Sequence, residues 1–410
     1  MMGRLGLLVA LSWRNLWRNP RRAGITFIAI GVGVWSMIVL AALMEAWGAS
    51  AFDAAVKMLT GHGQIHAEGY LDDPTVDHRF APPDRKLRLL LESAPAENWA
   101  TRVRVPAIVQ TARDTAPVTL VGIDPEAEQG LSFIPEAVHE GTYLDRKSGS
   151  DVLLGRKLAQ RLRTGVGKRV VILSQAANGE IAERGFRIVG LFDTEQEQDE
   201  KSFVFVPRAT AQSMLGMGSD ISEISFILDD VAKVPMFLAQ IRQVAPQLDA
   251  VSWSQLEPFT QAILDISNGT VALWTVIMFI LVAFGIVNTL LMAVFERMRE
   301  FGLVQALGLR PRLLLVEVLL ESAFLIGLGV LAGVVVGIAT LLYFRNGLNL
   351  SAVAQGSALF GIGRTLYPHV NGHLTALIAA FVWLMGILTS LYPAWRASRE
   401  VPVATISKTF

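Results

Sequence analysis

Four apolar runs, each too long for a helix of an ordinary soluble domain, constrain this chain more than any other feature. They lie within residues 24–47, 271–295, 313–343 and 374–392. A helix needs about 20 apolar residues to cross a bilayer. Hydrophobic residues make up 52% of the 410 residues and charged residues only 18%, which also favours a membrane protein. The sequence therefore predicts an α-helical membrane protein with four transmembrane helices.

The distribution of arginine predicts the orientation of these spans. Five arginines and no acidic residue precede the first span, and further arginines lie between spans two and three and after span four. Cytoplasmic loops of membrane proteins carry an excess of Lys and Arg, so we expect both termini in the cytoplasm. A cleaved signal peptide, ending near Ala49-Ser50-Ala51, is the alternative. Its apolar core would have ~7–15 residues, and residues 24–47 exceed that length.

The predicted segments follow from this topology. Residues 1–23 form an amphipathic interfacial helix in the cytoplasm, residues 296–312 a short cytoplasmic helix, and residues 393–410 a cytoplasmic tail. The part of 313–343 that precedes span three is a cytoplasmic lead-in, and residues 344–373 form a periplasmic loop. One four-span unit can hardly enclose a path for a bulky substrate, which indicates a dimer.

Residues 48–270 contain no run long enough to cross a bilayer and are expected outside the cytoplasm as a large mixed α/β domain, in one or two lobes. Runs rich in β-branched residues between turn signals predict strands, and intervening amphipathic runs predict helices. The predicted strands are 102–110, 118–123, 152–154, 170–174, 186–191, 203–207 and 224–228. The predicted helices are 84–93, 157–163, 209–215 and 231–244. Asn178-Gly179 predicts a hairpin turn, and residues 193–201 an exposed charged loop.

Three sets of residues inside the membrane segments invite interpretation. Gly329, Gly333 and Gly337 recur every fourth residue, which is typical of close helix packing. Glu321 lies near a membrane boundary, where it caps a helix, pairs with an arginine or stays in water. The candidate substrate path is Met37, Met44, Asn288 and Met292. For the methionines core packing is the commoner explanation, and for Asn288 a structural hydrogen bond is the default.

The sequence contains no motif of a familiar enzyme class. It has no phosphate-binding loop, no H-E-x-x-H and no G-x-S-x-G. It has no cysteine, which excludes disulfides, thiol nucleophiles and cysteine-ligated metals. His62 and His66 are four residues apart, but the glycines at 61 and 63 argue against the helix that such a metal pair needs. We therefore expect no catalytic site, no metal site and no cofactor in this chain, and its zero net charge gives no sign of a nucleic-acid partner.

The stretch between spans two and three carries a family resemblance. Residues 288–308 (NTLLMAVFERMREFGLVQALG) resemble the signature of the FtsX-like permeases of ABC transporters. Residues 13–22 (WRNLWRNPRR) and 392–399 (YPAWRASR) resemble the same family at the matching places. Residues 61–66, 69–74, 122–125, 154–159 and 189–192 are similar to the lipoprotein-releasing permease subunits. Phe301 and Gln305 replace the usual Ile and Arg of the signature.

This resemblance implies a non-catalytic permease subunit in the bacterial inner membrane. A separate cytoplasmic ABC ATPase dimer, which holds ATP and Mg, would dock on residues 296–312, which would thus be a coupling helix. Its apolar side chains would enter a groove on the ATPase, and its charged ones would pair at the rim. The implied coupling residues are Phe295, Glu296, Arg297, Met298, Arg299, Glu300, Phe301, Gly302, Leu307 and Gly308. Other implied partners are a second permease subunit, identical or homologous, membrane lipid, and a periplasmic chaperone or adaptor.

The resemblance implies extraction of a lipidated or amphipathic substrate from the outer leaflet, driven by mechanotransmission from the ATPase. A permease that passes force to a periplasmic adaptor or hydrolase, as an exporter or a signalling device, is an alternative, because one fold serves several functions. A membrane-anchored sensor with a ligand-binding outer domain is the alternative from another class.

Overall fold

A computed structural model of the chain describes residues 2–146, 148–194, 197–306, 311–349 and 365–399. The described chain divides into two compact units. One, the membrane unit, comprises the described residues up to 49, 264–306, 311–349 and 365–399. The other, the α/β unit, comprises residues 50–263.

The helices and strands have the following bounds in chain order. The helices are α1 Met2–Leu16, α2 Pro20–Ala55, α3 Arg85–Leu91, α4 Ile134–Ala137, α5 Arg156–Arg161, α6 Glu197–Ser202, α7 Arg208–Leu215, α8 Val234–Val244, α9 Trp253–Leu256, α10 Pro258–Glu296, α11 Met298–Ala306, α12 Pro311–Tyr343 and α13 Gly372–Arg399. The strands are β1 Gly63–Ala67, β2 Ala96–Gln110, β3 Thr115–Ile123, β4 Val138–Gly141, β5 Asp151–Gly155, β6 Arg169–Gln175, β7 Ile181–Phe192, β8 Phe203–Pro207, β9 Glu223–Leu228, β10 Leu248–Ser252, β11 Leu348–Asn349 and β12 Thr365–Leu366.

The four predicted spans are confirmed as four helices that are long and apolar enough to cross a membrane. Within the described residues these are Pro20–Thr60, Pro258–Glu296, Pro311–Tyr343 and Gly372–Arg396. The first and second are much longer than their apolar runs, because the helix continues through polar residues where the apolar run has ended. Proline begins three of them. In the first turn of a helix a backbone N–H has no acceptor within the helix, and proline has no N–H to leave unpaired.

Side chains from all four spans form the core of the membrane unit. Ile30, Val34 and Ile38 of α2 pack in one cluster with Ile286 of α10 and Ile326 of α12. Val382 of α13 belongs to the same cluster. The spacing of four residues along α2 places its three side chains on one face. This face of α2 packs against the other three spans.

The α/β unit is built on one ten-stranded sheet. Its strand order is β10-β1-β9-β2-β3-β8-β5-β7-β4, and β6 pairs with both β2 and β7. The long strand β2 joins two regions, because residues 96–102 pair with β9 and residues 103–110 pair with β3. Helices α3 and α8 cover one region around Phe226 and Phe237, and α5 and α7 pack on the other region around Val103. The expected mixed α/β domain thus has two regions that share one strand, and a further apolar cluster forms around Phe192 and Phe205.

A buried ion cluster lies where the two regions meet. Arg102 is fully buried and donates to Glu128 from Nε at 2.7 Å and from Nη2 at 2.9 Å. Its Nη1 donates to Glu223 Oε1 at 3.1 Å and also to the carbonyl of Leu59. Both glutamates are fully buried as well. Buried charges are tolerated only when they are paired and hydrogen-bonded, and this cluster meets that condition.

The predicted loop at residues 193–201 is wrong. Helix α6 occupies part of this stretch, and Glu200 is only 4% exposed. Glu200 Oε2 accepts from the backbone N–H of Lys157 at 3.0 Å, and Oε1 accepts from that of Thr194 at 3.2 Å. A Cβ at Gly155 would lie 2.0 Å from the Glu200 carbonyl, so glycine is what permits this approach. The acidic sequence suggested exposure to solvent, but Glu200 accepts hydrogen bonds from two backbone amides instead.

Candidate functional site

The predicted coupling segment, residues 295–308, is a break followed by a short helix. Helix α10 ends at Glu296, and α11 begins at Met298. Arg297 lies between them, and its carbonyl accepts from the amide of Phe301 at 3.0 Å. Arg299 and Gly302 lie within α11. Leu307 and Gly308 lie outside the described residues.

The apolar side chains of this segment face in different directions. Phe301 is 5% exposed and packs with Val294 of α10 and Leu314 and Val318 of α12. Leu303, two residues on, is 60% exposed. Residues two apart in a helix point to nearly opposite faces. Phe301 therefore holds α11 to its own chain, which differs from the expectation that its ring enters a groove on a partner, and Leu303 is the apolar side chain presented outward.

Phe295 and Met298 lie between these extremes. Phe295, at the end of α10, is 43% exposed, and the guanidinium of Arg396 lies 5.3 Å from its ring centroid. Met298 is half-buried. The outward surface of this region is therefore mixed, with an aromatic ring, a leucine and charged groups.

Arg297 joins the segment to α12. Its Nη1 lies 3.0 Å from Glu321 Oε2, and its Nη2 lies 3.4 Å from Glu317 Oε1. The guanidinium also lies 5.0 Å from the ring centroid of Phe301. The pairing of Glu321 with an arginine was one of its three expected roles and is confirmed. These contacts use charges that we had placed at the rim of a partner groove.

Helix α1 and the residues after it join the other side of the segment. Arg18 donates to both carboxylate oxygens of Glu300, and Arg22 donates to Glu296. Asn15 donates to Glu317 Oε1 at 2.9 Å. The hydrogen bond from Arg18 holds the pKa of the Glu300 carboxyl below its usual range. Sequence reasoning missed these pairs, although an arginine-rich amino terminus without acids and a glutamate-rich coupling segment are complementary in charge.

The three predicted packing glycines lie against α2. A Cβ at Gly329 would lie 2.8 Å from Ile30 Cβ, and one at Gly333 would lie 2.6 Å from the carbonyl of Gly31. At Gly337 the nearest atom is Ile38 Cγ2 at 3.2 Å. The sequence left the partner helix open, and the structure identifies it as α2. Small residues allow such close contact between helix backbones.

The four candidate substrate-path residues do not share one surface. Met37 is 1% exposed within the bundle core, whereas Met292 on α10 is 53% exposed. Asn288 is exposed on α10 and Met44 is half-buried on α2. Only Asn288 and Met292 therefore lie on an accessible face of one helix. No group of three or more His, Asp or Glu side chains within the described ranges is placed to hold a metal ion.

Comparison with known protein families identifies both parts of the chain. Residues 23–244 match the MacB-like periplasmic core domain, and residues 272–402 match the FtsX-like permease C-terminal domain. The chain belongs to the FtsX-like permease family of ABC transporters. With four apolar helices and this core domain, the chain is a multi-pass inner-membrane protein, and the α/β unit is its large periplasmic domain.

Individual relatives cover nearly the whole permease. The lipoprotein-releasing system transmembrane protein LolC of Neisseria meningitidis is 24% identical over 95% of each chain. The pyoverdine export ATP-binding/permease protein PvdT of Pseudomonas syringae is 26% identical over 97% of this chain, which spans 59% of PvdT. The periplasmic region of MacB from Actinobacillus actinomycetemcomitans is 13% identical, with a TM-score of 0.35 over 50% of this chain and 94% of that one.

Proposed function

We propose that this permease is a non-catalytic subunit that uses ATP hydrolysis by a separate ATPase dimer to extract a lipidated or amphipathic substrate from the outer leaflet. The observation that carries the proposal is that α11 is attached to its own chain on one side and exposed on the other. Phe301 and the preceding Arg297 make the attachment, while Leu303 faces outward. A helix attached in this way can receive a push on one face and pass it on through the other.

The attachment of α11 supplies two routes for such a push. One leads through Arg297 to Glu317 and Glu321 on α12. The other leads through Glu300 to Arg18, just after α1. ATP and Mg would be held by the partner ATPase. The contact surface on this chain then consists of the exposed side chains of Phe295, Glu300 and Leu303.

The substrate class is supported by α10 and by the relatives. In the apolar 18-residue part of α10 only 11% is buried within this chain, against 39% in the corresponding parts of α2 and α12. An apolar helix face of this kind suits lipid, an acyl chain or a second permease subunit. Asn288 and Met292 lie on α10, and LolC is by its name a lipoprotein-releasing protein. A periplasmic chaperone or adaptor would then receive the substrate.

Substitution of Leu303 tests the docking surface. Leu303→Arg replaces an exposed apolar contact with a charge, so we expect co-purification of the ATPase to fall at least tenfold and substrate-stimulated ATP turnover to be lost. Leu89→Arg is the matched control, because Leu89 is 57% exposed in the periplasmic domain. Equal ATPase recovery with the two variants would contradict the proposed surface.

Export of a soluble compound is a second candidate function, favoured by the similarity to PvdT over nearly the whole chain. Reconstitution with the ATPase separates the two candidates. Extraction predicts ATP-dependent release of an acylated peptide from the outer leaflet of proteoliposomes. Export predicts ATP-dependent movement of a water-soluble substrate across them, with no release of the acylated peptide.

A further inference from the structure

A polar cavity of about 260 Å³ lies in the periplasmic domain, and it shares Glu223 with the buried ion cluster around Arg102. Its polar wall includes Gln64, His66, Arg104, Glu223 and Glu257. A water molecule takes up about 30 Å³ in the liquid, and pockets for drug-sized ligands measure about 300–1,000 Å³. The cavity therefore has room for several waters or for one small molecule.

The register of the sheet builds the charged wall of this cavity. His66 of β1 lies opposite Glu223 of β9, and Glu223 lies opposite Arg102 of β2. Directly opposed residues share one face of a sheet, and so do residues two apart along a strand. Arg104 therefore follows Arg102 on the same face. Three strands bring an imidazole, a carboxylate and two guanidinium groups into one row.

His66 has unused hydrogen-bonding capacity inside this wall. Its side chain is 1% exposed, and within the described structure neither ring nitrogen has a hydrogen-bond partner. Nε2 lies 4.0 Å from Glu223 Oε2, too far for a hydrogen bond. Burial lowers the pKa of His66, so its ring is neutral at pH 7. One ring nitrogen can then accept a hydrogen bond. Buried polar groups without partners are costly, which indicates that a bound molecule completes them.

The carboxyl groups of Glu223 and Glu257 add acceptor oxygens to this wall. Glu223 Oε1 accepts from Arg102, but Oε2 has no hydrogen-bond partner in the described structure. Glu257 accepts from Thr60 Oγ1 through Oε1 at 3.1 Å. An ammonium group carries three donors and no acceptor. Acceptor atoms on His66, Glu223 and Glu257 would provide one partner for each of these three donors.

Arg104 supplies the opposite charge. Its Nη1 lies 3.7 Å from Glu223 Oε2, beyond hydrogen-bond distance, and its guanidinium lies 5.5 Å from the ring centroid of Phe203. Its side chain is 32% exposed, so it stands at the edge of the cavity. A guanidinium binds carboxylate or phosphate with two parallel hydrogen bonds.

We propose that this cavity binds a small zwitterion, with its ammonium group at His66, Glu223 and Glu257 and its anionic group at Arg104. Free amino acids carry this pair of groups, and so does the phosphoethanolamine headgroup of a lipid. Tyr70 and Pro106 form apolar parts of the wall, which suits a short aliphatic linker or side chain. Glu257 directly precedes Pro258, the first residue of α10, so the site lies next in sequence to a membrane helix.

Calorimetric titration of the full chain in maltoside micelles tests this proposal with two probes, L-alanine and phosphoethanolamine. Each is compared with analogues that lack one charge, namely propionate and ethylamine for the first, and ethyl phosphate and ethanolamine for the second. We expect saturable binding of at least one zwitterion with a Kd of about 1 mM or tighter, and at least tenfold weaker binding of its analogues. Failure of both zwitterions to bind in this range would show that the cavity holds water only and would overturn the proposal, as would equal binding of zwitterion and analogues.

Two variants assign the two ends of the ligand. Arg104→Gln should abolish the preference for the zwitterion over its cationic analogue, and Glu257→Gln should weaken zwitterion binding while leaving the thermal midpoint unchanged or higher. Arg88→Gln, at an exposed arginine of the same domain, is the control and should bind as the parent chain does. Binding that neither pocket variant alters, in proteins with parental thermal midpoints, would contradict the assignment.

Nanodiscs separate the two sources of the ligand. If the lipid headgroup is the ligand, discs of phosphatidylethanolamine should weaken binding of the free probe several-fold relative to discs of phosphatidylglycerol. If a free zwitterion is the ligand, the two kinds of disc should give the same affinity.

Discussion

Two arginines in this permease each hold a pair of glutamates, yet their surroundings differ. Arg102 in the periplasmic domain is fully buried with Glu128 and Glu223. Arg297 beside α11 pairs with Glu317 and Glu321, and these three side chains are 13–17% exposed. The residue types are the same, so differences in behaviour must come from burial and from the other charges within reach.

The buried group has fixed partners, whereas the group beside α11 has alternatives. Arg102 donates a further hydrogen bond to the Leu59 carbonyl. Arg297 also lies 3.4 Å from Glu300, which pairs in turn with Arg18 at an exposed position. A chain of ion pairs near solvent can exchange partners at low cost because water satisfies the groups in between. The first group therefore suits a rigid support, and the second suits a part that moves.

Removal of one buried partner should give the largest effect. Glu128→Ala leaves Arg102 with a single carboxylate, and breaking a buried ion pair in this way costs about 3–5 kcal/mol. Denaturant unfolding of the full chain, followed by tryptophan fluorescence, measures this loss. Glu92→Ala is the control, because Glu92 forms an exposed pair with Arg88 and such a pair contributes about 0.5 kcal/mol or less. Similar losses in the two variants would remove the distinction between buried and exposed pairs.

Close packing of α12 on α2 gives the next effect. The Cβ of Gly333→Ala would lie 2.6 Å from the Gly31 carbonyl and 2.7 Å from Val34 Cβ, so the helices must separate. Overpacking of this kind costs about 1–3 kcal/mol, measured as a lower thermal midpoint in detergent. Gly285→Ala on α10 is the matched control, because in the described part of the chain no heavy atom beyond its own stretch of helix lies within 4 Å of the added Cβ. The contact would be looser than described if both substitutions were tolerated equally.

Asp199 shows what burial does to a carboxylate whose close charged neighbours are acidic. Burial, together with Glu257 and Glu200, raises its pKa from 3.8 to about 6. A raised pKa means that the folded protein loses stability as pH rises from about 4 to about 6. Asp199→Asn should therefore stabilise the domain at pH 7.5 by about 1 kcal/mol after allowance for solvent screening, and by much less at pH 4.5.

Thermal midpoints of the parent and the variant at the two pH values measure this difference. Asp72→Asn, at an exposed carboxylate, controls for the general effect of removing a negative charge. A gain from Asp199→Asn that is the same at both pH values would contradict the raised pKa.

The sequence was sufficient for the spans and for most of the sheet, because both depend on local periodicity. Residues 203–207 were predicted as a strand and match β8 exactly. Strand β1 was missed because Ile65 is its only large apolar residue, and the neighbouring Gln64 and His66 are polar although they are buried. Strand β10 was missed because Asp249 and Ser252 interrupt its short apolar pattern.

The sites were less predictable because they depend on register and distance. Nothing local to Arg18 indicates Glu300, which lies 282 residues away. Likewise, the row of His66, Glu223 and Arg102 exists only once three strands are paired in one register. The opposite orientations of Phe301 and Leu303 were accessible from helical spacing alone, but only if the face that packs on α12 had been known.

The exposed pair of Arg18 and Glu300 should give the smallest effect and the clearest dependence on salt. Side chains exposed by 56% and 44% form a pair worth about 0.2–1 kcal/mol, measured as the coupling energy of a double-mutant cycle with Arg18→Gln and Glu300→Gln. Ionic strength of about 1 M shortens the screening length to about 3 Å, so this coupling should approach zero. The cycle with Arg297→Gln and Glu321→Gln should keep most of its coupling, because a partly buried pair is screened less. Equal salt sensitivity in the two cycles would mean that the pair of Arg297 and Glu321 behaves as a surface pair, and the attachment of α11 to α12 would then rest on the packing of Phe301.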